Sequence, residues 1–413
     1  MEEKTLKPAI RFKGFEENWV EERIEDIANL TKGRGYSKKD LKNNGTPIVL
    51  YGRLYTKYET NIKNVDTFVE EMPDSIYSTG NEVIIPSSGE TPEDIARASA
   101  VIEPRIILGG DLNIVKPYKN ISSSFLANTI TFGSAQQELA QKAQGKSVVH
   151  LHNSDIKKTK VKYPTSLPEQ TQIGAYFEQL DQLLIKKQEK LEKLKQLKKA
   201  MLSKMFPKKG ALTPEIRFKG FTQNWVEKKL GEVGSTLSGV GFPECEQGRT
   251  KGIPFFKISD MNTPLNTTVM NKSNNYVTHE QISKYGWKVI KNVPAIIFAK
   301  VGAAIMLNRK RLVKSHFLID NNTMAYIFSN LWDCYFGKSI FETIYLPSFV
   351  QTGALPSYSG KDIENITILF PTLAEQEKIG NYFQQLDLLI ESQDLEIEKL
   401  KNLKKGFLDK MFV

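Results

Sequence analysis

Residues 8–21 of the chain read Pro-Ala-Ile-Arg-Phe-Lys-Gly-Phe-Glu-Glu-Asn-Trp-Val-Glu. They return at 214–227 as Pro-Glu-Ile-Arg-Phe-Lys-Gly-Phe-Thr-Gln-Asn-Trp-Val-Glu, identical at eleven of fourteen positions and displaced by 206. Residues 166–206 return at 372–412 with the same displacement and 22 identities in 41 positions. A repeat on this scale constrains the fold before any local pattern does, because both copies must solve the same folding problem. The 413 residues are a unit of 206 written twice. Between the framing blocks only scattered anchors agree: Gly45-Thr46-Pro47-Ile48 with Gly252-Ile253-Pro254-Phe255, Gly145 with Gly353, and Asp155-Ile156 with Asp362-Ile363. Each half therefore holds a variable middle of about 150 residues and a well-preserved tail. A duplicated recognition module has this form once its copies have come to bind different things.

The tails carry a heptad pattern. Ser166-Leu167-Pro168-Glu169 and Thr372-Leu373-Ala374-Glu375 fit the capping box, in which hydroxyl and carboxylate satisfy N–H groups at a helix start. Ile173, Phe177, Leu180, Leu184, Lys187, Leu191, Leu194, Lys198, Met201 and Met205 then alternate spacings of four and three. Ile379, Phe383, Leu386, Ile390, Gln393, Ile397, Leu400, Lys404, Phe407 and Met411 do the same. This is the a/d seam of a coiled coil. Both seams turn polar at the same places, Lys187/Gln393 and Lys198/Lys404, where a buried polar residue can fix register. Gly174 and Gly380 in the second turn and Gly406 near one end are the breakers within the two helices, and Pro207 and Gly210 stop the first. Two surface helices, each packed on its own domain, are the plainer alternative. If the helices pair antiparallel, about 39 residues make a rod of roughly 58 Å, or about 17 base pairs of duplex, with a variable domain toward each end.

The formal charge of +10 is uneven. Residues 1–167 hold 23 basic and 22 acidic residues, whereas 214–373 hold 18 and 12. In the first middle, Lys32, Arg34, Lys38, Lys39 and Lys42 surround Gly33, Gly35 and Tyr36, and Arg53, Tyr55, Lys57 and Tyr58 follow. The second has Arg249, Lys251 and Lys257, then Lys300, Arg309, Lys310, Arg311 and Lys314. Cations position a protein on phosphates, while short polar side chains such as Ser87, Ser88, Ser259, Asp260 and Asn262 suit base edges. All of these are candidate DNA contacts. A solvated lysine-rich surface is the ordinary alternative for each.

Motifs for chemistry are lacking. Gln144-Gly145-Lys146-Ser147 resembles the end of a phosphate loop, but Ala140 stands where that loop needs glycine. Lys32-Gly33-Arg34-Gly35 and Ser238-Gly239-Val240-Gly241 are too short for a dinucleotide fingerprint. Four histidines, His150 and His152 among them, and the two cysteines Cys245 and Cys334 give no metal-ligand spacing and no disulfide framework. Trp19 and Trp225, with Phe15 and Phe221 before them, suit core packing better than base stacking. No apolar run approaches the ~18 residues a membrane span needs, and Met1-Glu2-Glu3-Lys4 does not open a signal peptide. A cytoplasmic protein is expected.

The repeated Pro-x-Ile-Arg-Phe block with its Trp, the openings Leu167-Pro168-Glu169-Gln170 and Leu373-Ala374-Glu375-Gln376, and the order of variable domain, helix, variable domain, helix cover nearly the whole chain. Together they resemble the specificity subunit of type I restriction–modification systems, a bacterial defence. The resemblance implies an α+β fold: two mixed α/β target-recognition domains joined by two long helices forming an antiparallel coiled coil. The corresponding boundaries are 1–165 and 214–371 for the domains, 166–206 and 372–413 for the helices, and 207–213 for a linker. It implies that each domain reads one half of a bipartite, non-palindromic site in double-stranded DNA, with the coil as spacer. It further implies two modification subunits that methylate adenine with S-adenosylmethionine, and two restriction subunits driven by ATP and Mg. The chain itself is then non-catalytic and holds no metal or cofactor. A coiled-coil adaptor for two proteins explains the helices but not the cationic clusters. A complete enzyme lacks its motifs.

Overall fold

The computed structural model describes residues 6–145, 148–350 and 355–412. Lys146, Ser147 and Gly353, and with them the phosphate-loop comparison and the Gly145/Gly353 anchor, lie outside the described residues. The chain divides into two compact units. One comprises Met1–Lys187 with Glu396–Val413, the other Gln188–Leu395.

In the first unit, an antiparallel ribbon joins Val20–Arg23 to Lys160–Tyr163, so the two ends of the variable middle lie side by side. A five-stranded sheet runs in the order Ala28–Lys32, Leu112–Pro117, Glu82–Pro86, Ser99–Val101, Asn61–Ile62. All its neighbours are antiparallel except the last pair. A second five-stranded sheet is built on Thr46–Val49 and the parallel Pro104–Leu108. The run Glu82-Val83-Ile84-Ile85-Pro86 is buried at every residue, as expected of a strand covered on both faces. The helix Ser123–Phe132 lies over the first sheet and turns Phe125, Leu126 and Ile130 into the core.

The second unit repeats this plan with fewer strands. Its ribbon joins Val226–Lys229 to Thr367–Phe370. Its main sheet is four-stranded, in the order Gly234–Ser238, Thr323–Phe328, Ala295–Ala299, Lys310–Val313. A three-stranded sheet centres on Ile253–Phe256, and the helix Cys334–Thr343 takes the place of Ser123–Phe132. Ile253–Phe256 and Thr46–Val49 are the strands of the Gly-x-Pro anchors. The prolines sit at pairings with short strands, where a missing donor is tolerated.

The long helices span Leu167–Lys204 and Leu373–Met411, 38 and 39 residues without interruption. Their burial follows the heptads. Ile173, Phe177, Leu180, Leu191 and Met205 are buried on the first, with Leu184, Leu194 and Met201 partly covered. Ile379, Phe383, Leu386, Ile397 and Met411 are buried on the second, with Ile390, Leu400 and Phe407 partly covered. Within the first unit, Phe412 near the end of the second helix packs on Phe125 and Phe177, with centroids 5.8 and 5.7 Å away. Within the second, Phe206 near the end of the first helix packs on Phe336 and Phe383 at 5.7 and 5.9 Å. In each unit, then, one helix starts where the other ends, which is antiparallel pairing. Three of the four polar seam positions are paired: Lys187 with Glu396, Lys404 with Asp181, and Lys198 with Asp387. Gln393 is buried, and its Nε2 has no hydrogen-bond partner among the described residues.

One sequence expectation is corrected here. The Ser166 hydroxyl lies 3.5 Å from the Glu169 amide, but the Glu169 carboxylate does not return to Ser166. It is taken by Arg11, and Glu375 is likewise taken by Arg217. A capping box would spend the carboxylate on one amide; a guanidinium 158 positions away in sequence offers two charge-assisted bonds instead.

Candidate nucleic-acid interface

The repeated blocks turn out to be scaffold. Arg11 forks onto Glu169 with Nε–Oε1 2.6 Å and Nη2–Oε2 2.7 Å, and its third nitrogen donates to the Glu17 carbonyl. Arg217 forks onto Glu375 in the same way, at 2.6 and 2.8 Å, and its Nη2 also donates to the Gln223 carbonyl. These hydrogen bonds to carboxylates raise both guanidinium pKa values above their ordinary value. One residue on, Gln170 accepts from the Ser122 amide at 2.9 Å and donates to the Pro164 and Asn120 carbonyls. Gln376 accepts from the Asp333 amide at 3.1 Å and donates to the Pro371 and Leu331 carbonyls. Ser122 and Asp333 are the N-caps of the equivalent domain helices. The Glu-Gln pair therefore ties each long helix both to the N-terminal motif and to the domain above it.

Gly174 and Gly380 belong to the same joint. A Cβ at 380 would stand 1.9 Å from Asp333 Oδ1, and one at 174 would stand 3.1 Å from the Ser124 Cβ. They read as helix breakers in the sequence but are contact glycines, which let a helix N-terminus approach closely. Trp19 and Trp225 are core residues, packed edge-on against Phe125 and Phe336.

The candidate DNA contacts separate into two groups. Lys32, Arg34, Lys38 and Lys39 are exposed on one strip of the first unit, with Lys42 beside them. Their backbone is held firmly: the Gly33 amide bonds to the Leu112 carbonyl, Gly110 to Gly35, and Ser37 caps the turn Lys38–Asp40. Among the described residues only Arg34 of this strip has a carboxylate within 4.0 Å, the exposed Asp74 at 3.6 Å. In the second unit Arg249, Lys251, Ser259 and Asn262 are exposed, with Lys257, Lys300 and Arg309 partly so. Lys257 reaches Gln247, Lys300 reaches Ser238, and Arg309 reaches Asn262. These contacts with neutral groups leave the positive charge uncompensated.

The remaining candidates are engaged in the fold: Arg53, Tyr36, Ser87, Asp260 and Lys310 are buried, Tyr55, Ser88 and Arg311 are half-buried, and Lys57 is exposed but paired with a carboxylate. Arg53 is 9% exposed and bonds to Glu59, Asp66 and the Asn64 carbonyl. Lys57 joins it on Asp66, and the two cations bring that carboxyl down to about 2. Tyr36 is buried, with its hydroxyl on Ser75 and the Met72 amide. Tyr55 donates to the Ser88 carbonyl, and burial pushes its phenol up. Ser87 is buried, and Ser88 pairs with His150. Asp260 is buried and accepts from the Lys257 and Asn274 amides. Arg311 bonds to the Asn266, Lys310 and Met261 carbonyls. Lys310 is 5% exposed, donates to the Ile344 carbonyl at 2.6 Å, and is brought down to about 8 by burial. Composition marks a cation; it does not reveal whether a carbonyl waits for it inside.

Among the described residues no cluster of three or more His, Cys, Asp or Glu could hold a metal ion. Among them, too, no helix is long and apolar enough to cross a membrane.

Comparison with known proteins agrees with this organisation. The family model described as type I restriction modification DNA specificity domain matches twice, at residues 16–196 and 222–402. The type I restriction enzyme MjaIX specificity subunit of Methanocaldococcus jannaschii is 23% identical over 95% of this chain and 92% of its own. The crystal structure of a type I restriction–modification S subunit from M. genitalium shares the fold with a TM-score of 0.67 and 15% identity, over 98% of this chain and 99% of that one. A chain from a structure of a type I system, described for its assembly and conformational transition, gives 0.53 and 17% over 95% and 97%.

Proposed function

Because the chain belongs to the family of type I restriction–modification DNA specificity domains, whose members are the non-catalytic, sequence-recognising component, we propose that its two units read the two halves of a split, non-palindromic duplex site. The observation that carries this reading is the contrast between the copies. The clasp of Arg11, Glu169, Gln170 and Gly174 recurs as Arg217, Glu375, Gln376 and Gly380, whereas the surface cations, Lys32 to Lys42 in one unit and Arg249, Lys251, Lys300 and Arg309 in the other, share neither sequence nor strand. In this reading the paired helices set the separation of the half-sites and dock two modification subunits. Those subunits methylate adenine in each half using S-adenosylmethionine, and two ATP- and Mg-dependent restriction subunits complete the complex in the cytoplasm.

The test is binding to duplex DNA, by the full chain with its modification partner, across a salt series. Log affinity is expected to fall linearly with log salt, at a slope of about −0.9 for each phosphate neutralised. Binding indifferent to salt, or none at all, overturns the reading.

A further inference from the structure

In the second unit the segment from Lys300 to Arg309 connects the strands Ala295–Ala299 and Lys310–Val313. It carries a short 3-10 turn, Ala303–Leu307, anchored from below by Ile305, which is buried. The next two side chains point the other way: Met306 and Leu307 are each 57% exposed. The anchoring is specific. The Gly302 amide bonds to the Pro356 carbonyl at 2.8 Å, and Asn308 accepts from the Leu346 amide at 3.1 Å. The segment therefore presents two flexible apolar side chains at the tip of a braced turn, beside the exposed Tyr345. Large apolar side chains left adjacent and open to water mark a surface that meets something.

The charge around the tip selects what it meets. No Asp or Glu occurs from residue 300 to 319, or from 343 to 361. Lys300 and Arg309 flank the turn, on Ser238 and Asn262 respectively, so neither is neutralised by these contacts. An apolar tip flanked along the chain by cations and by no carboxylate suits a polyanion with an apolar interior, which describes a stacked duplex. The first unit differs at the corresponding connection, from Glu82–Pro86 to Ser99–Val101. That segment holds Glu90, Glu93 and Asp94 and folds its middle into the helix Pro92–Ile95, capped by Thr91.

We propose that Met306 and Leu307 form a wedge that enters a base step in the half-site read by the second unit and opens its stacking, while Lys300 and Arg309 hold the neighbouring phosphates. The first unit has no such turn at the corresponding connection, so the distortion at this connection is confined to one half of the site. This rests on the DNA-recognition reading and adds to it a residue-level mode of contact.

The experiment uses the full chain with its modification subunits and duplexes carrying the methylated site, with 2-aminopurine placed at successive steps. Apart from the target adenine of each half, which a methyltransferase flips out, the expected result is a several-fold rise in fluorescence at one step, in one half only. M306A/L307A abolishes the rise and weakens binding about tenfold, with the salt slope unchanged. R309A keeps the rise and makes the slope shallower by about one. Both apolar side chains stand outside the core, and an unchanged melting temperature verifies that the double variant is folded. If the wild-type chain binds in a salt-dependent way but no step other than the target adenines brightens, or if M306A/L307A behaves as wild type, the wedge is refuted and recognition stands. If the double variant loses the modification subunit but not the fluorescence rise, the tip is a protein contact and the wedge is refuted. If the wild-type chain shows no salt-dependent binding, both readings fall together.

Discussion

The duplicated clasp offers a measurement with its own internal control, the paired variants R11A and R217A. Glu169 and Glu375 are buried, with side-chain exposures of 0% and 1%, and each receives two guanidinium bonds of 2.6–2.8 Å. Removing the arginine leaves a buried carboxylate, and breaking such a pair costs about 3–5 kcal/mol. The loss should fall at the lower end, because Arg217 borders a cleft of about 230 Å³ lined by Gly220, Phe221, Gln223 and Thr372, through which water can reach Glu375. About 3 kcal/mol is the expectation for R217A.

R11A should cost less. The Trp19 indole N–H lies 3.4 Å from Glu169 Oε1 and still offers that carboxylate a donor, whereas Trp225 Nε1 has no hydrogen-bond partner among the described residues. A single weak donor keeps about 1 kcal/mol, placing R11A near 2 kcal/mol. Denaturant unfolding measures the totals, and hydrogen exchange by mass spectrometry locates them. R217A should release amides in 214–226 and 371–380 while 8–20 stay protected, and R11A should do the reverse. Losses below about 0.5 kcal/mol in both variants, or exchange that rises in the wrong copy, would show that the repeated arginine is not what holds the motif to the helix.

Lys310 gives a pH dependence. Its folded pKa is about 8 against an ordinary 10.5, so between those values the unfolded chain binds the extra proton and stability rises with pH. Below pH 8 the penalty is constant. K310M should flatten ΔG between pH 8 and 10 and gain about 1–2 kcal/mol at neutral pH, as read by denaturant titration at several pH values. The buried charges of the second unit give another contrast. Lys338 contacts Glu342 and Asp387 at 2.7 and 2.6 Å, and Lys198 contacts the same two at 2.8 and 2.6 Å. D387N leaves two lysines against one carboxylate and should lose about 3–4 kcal/mol. The matching D181N, whose partner Lys404 sits beside a half-open carboxylate, should lose about 1 kcal/mol or less. Finally, deleting one heptad from each long helix should shorten the tolerated gap between half-sites by about three base pairs, at 1.5 Å per residue. A methylation map of DNA from cells expressing the variant reports the gap, and an unchanged gap refutes the spacer role.

The seam was legible because a coiled coil writes its own period into the chain. Ile173 to Met205 and Ile379 to Met411 alternate four and three, and the buried faces follow. The repeated N-terminal block was legible as important but not as a clasp. Arg11 and Glu169 lie 158 positions apart, as do Arg217 and Glu375, and no local pattern joins them. The joint identity of both residues in both copies was the available signal. Gly174 and Gly380 misled for a related reason: propensity penalises glycine in a helix, while the neighbour that forbids a side chain there comes from a distant segment. The candidate contacts divided on burial. Lys38 and Lys310 are indistinguishable as letters, and only the chain's path puts one in water and the other against a carbonyl.

These joints explain how the recognition surfaces could diverge. The side-chain contacts repeated between the copies, Arg on Glu, Gln on the domain helix N-cap, Gly against the first turn of that helix, and Phe412 or Phe206 in the core, gather where a domain meets the helix pair. The exposed cations and the Met306-Leu307 turn lie on strand ends and connections that make none of these contacts. A substitution at Lys38 or Leu307 therefore changes what the surface meets without disturbing the joint. A substitution at Gly380 disturbs the joint whatever the surface reads. The two classes of residue are under separate physical constraints. That separation is what permits two middles with scattered identities to stand on tails that are more than half identical.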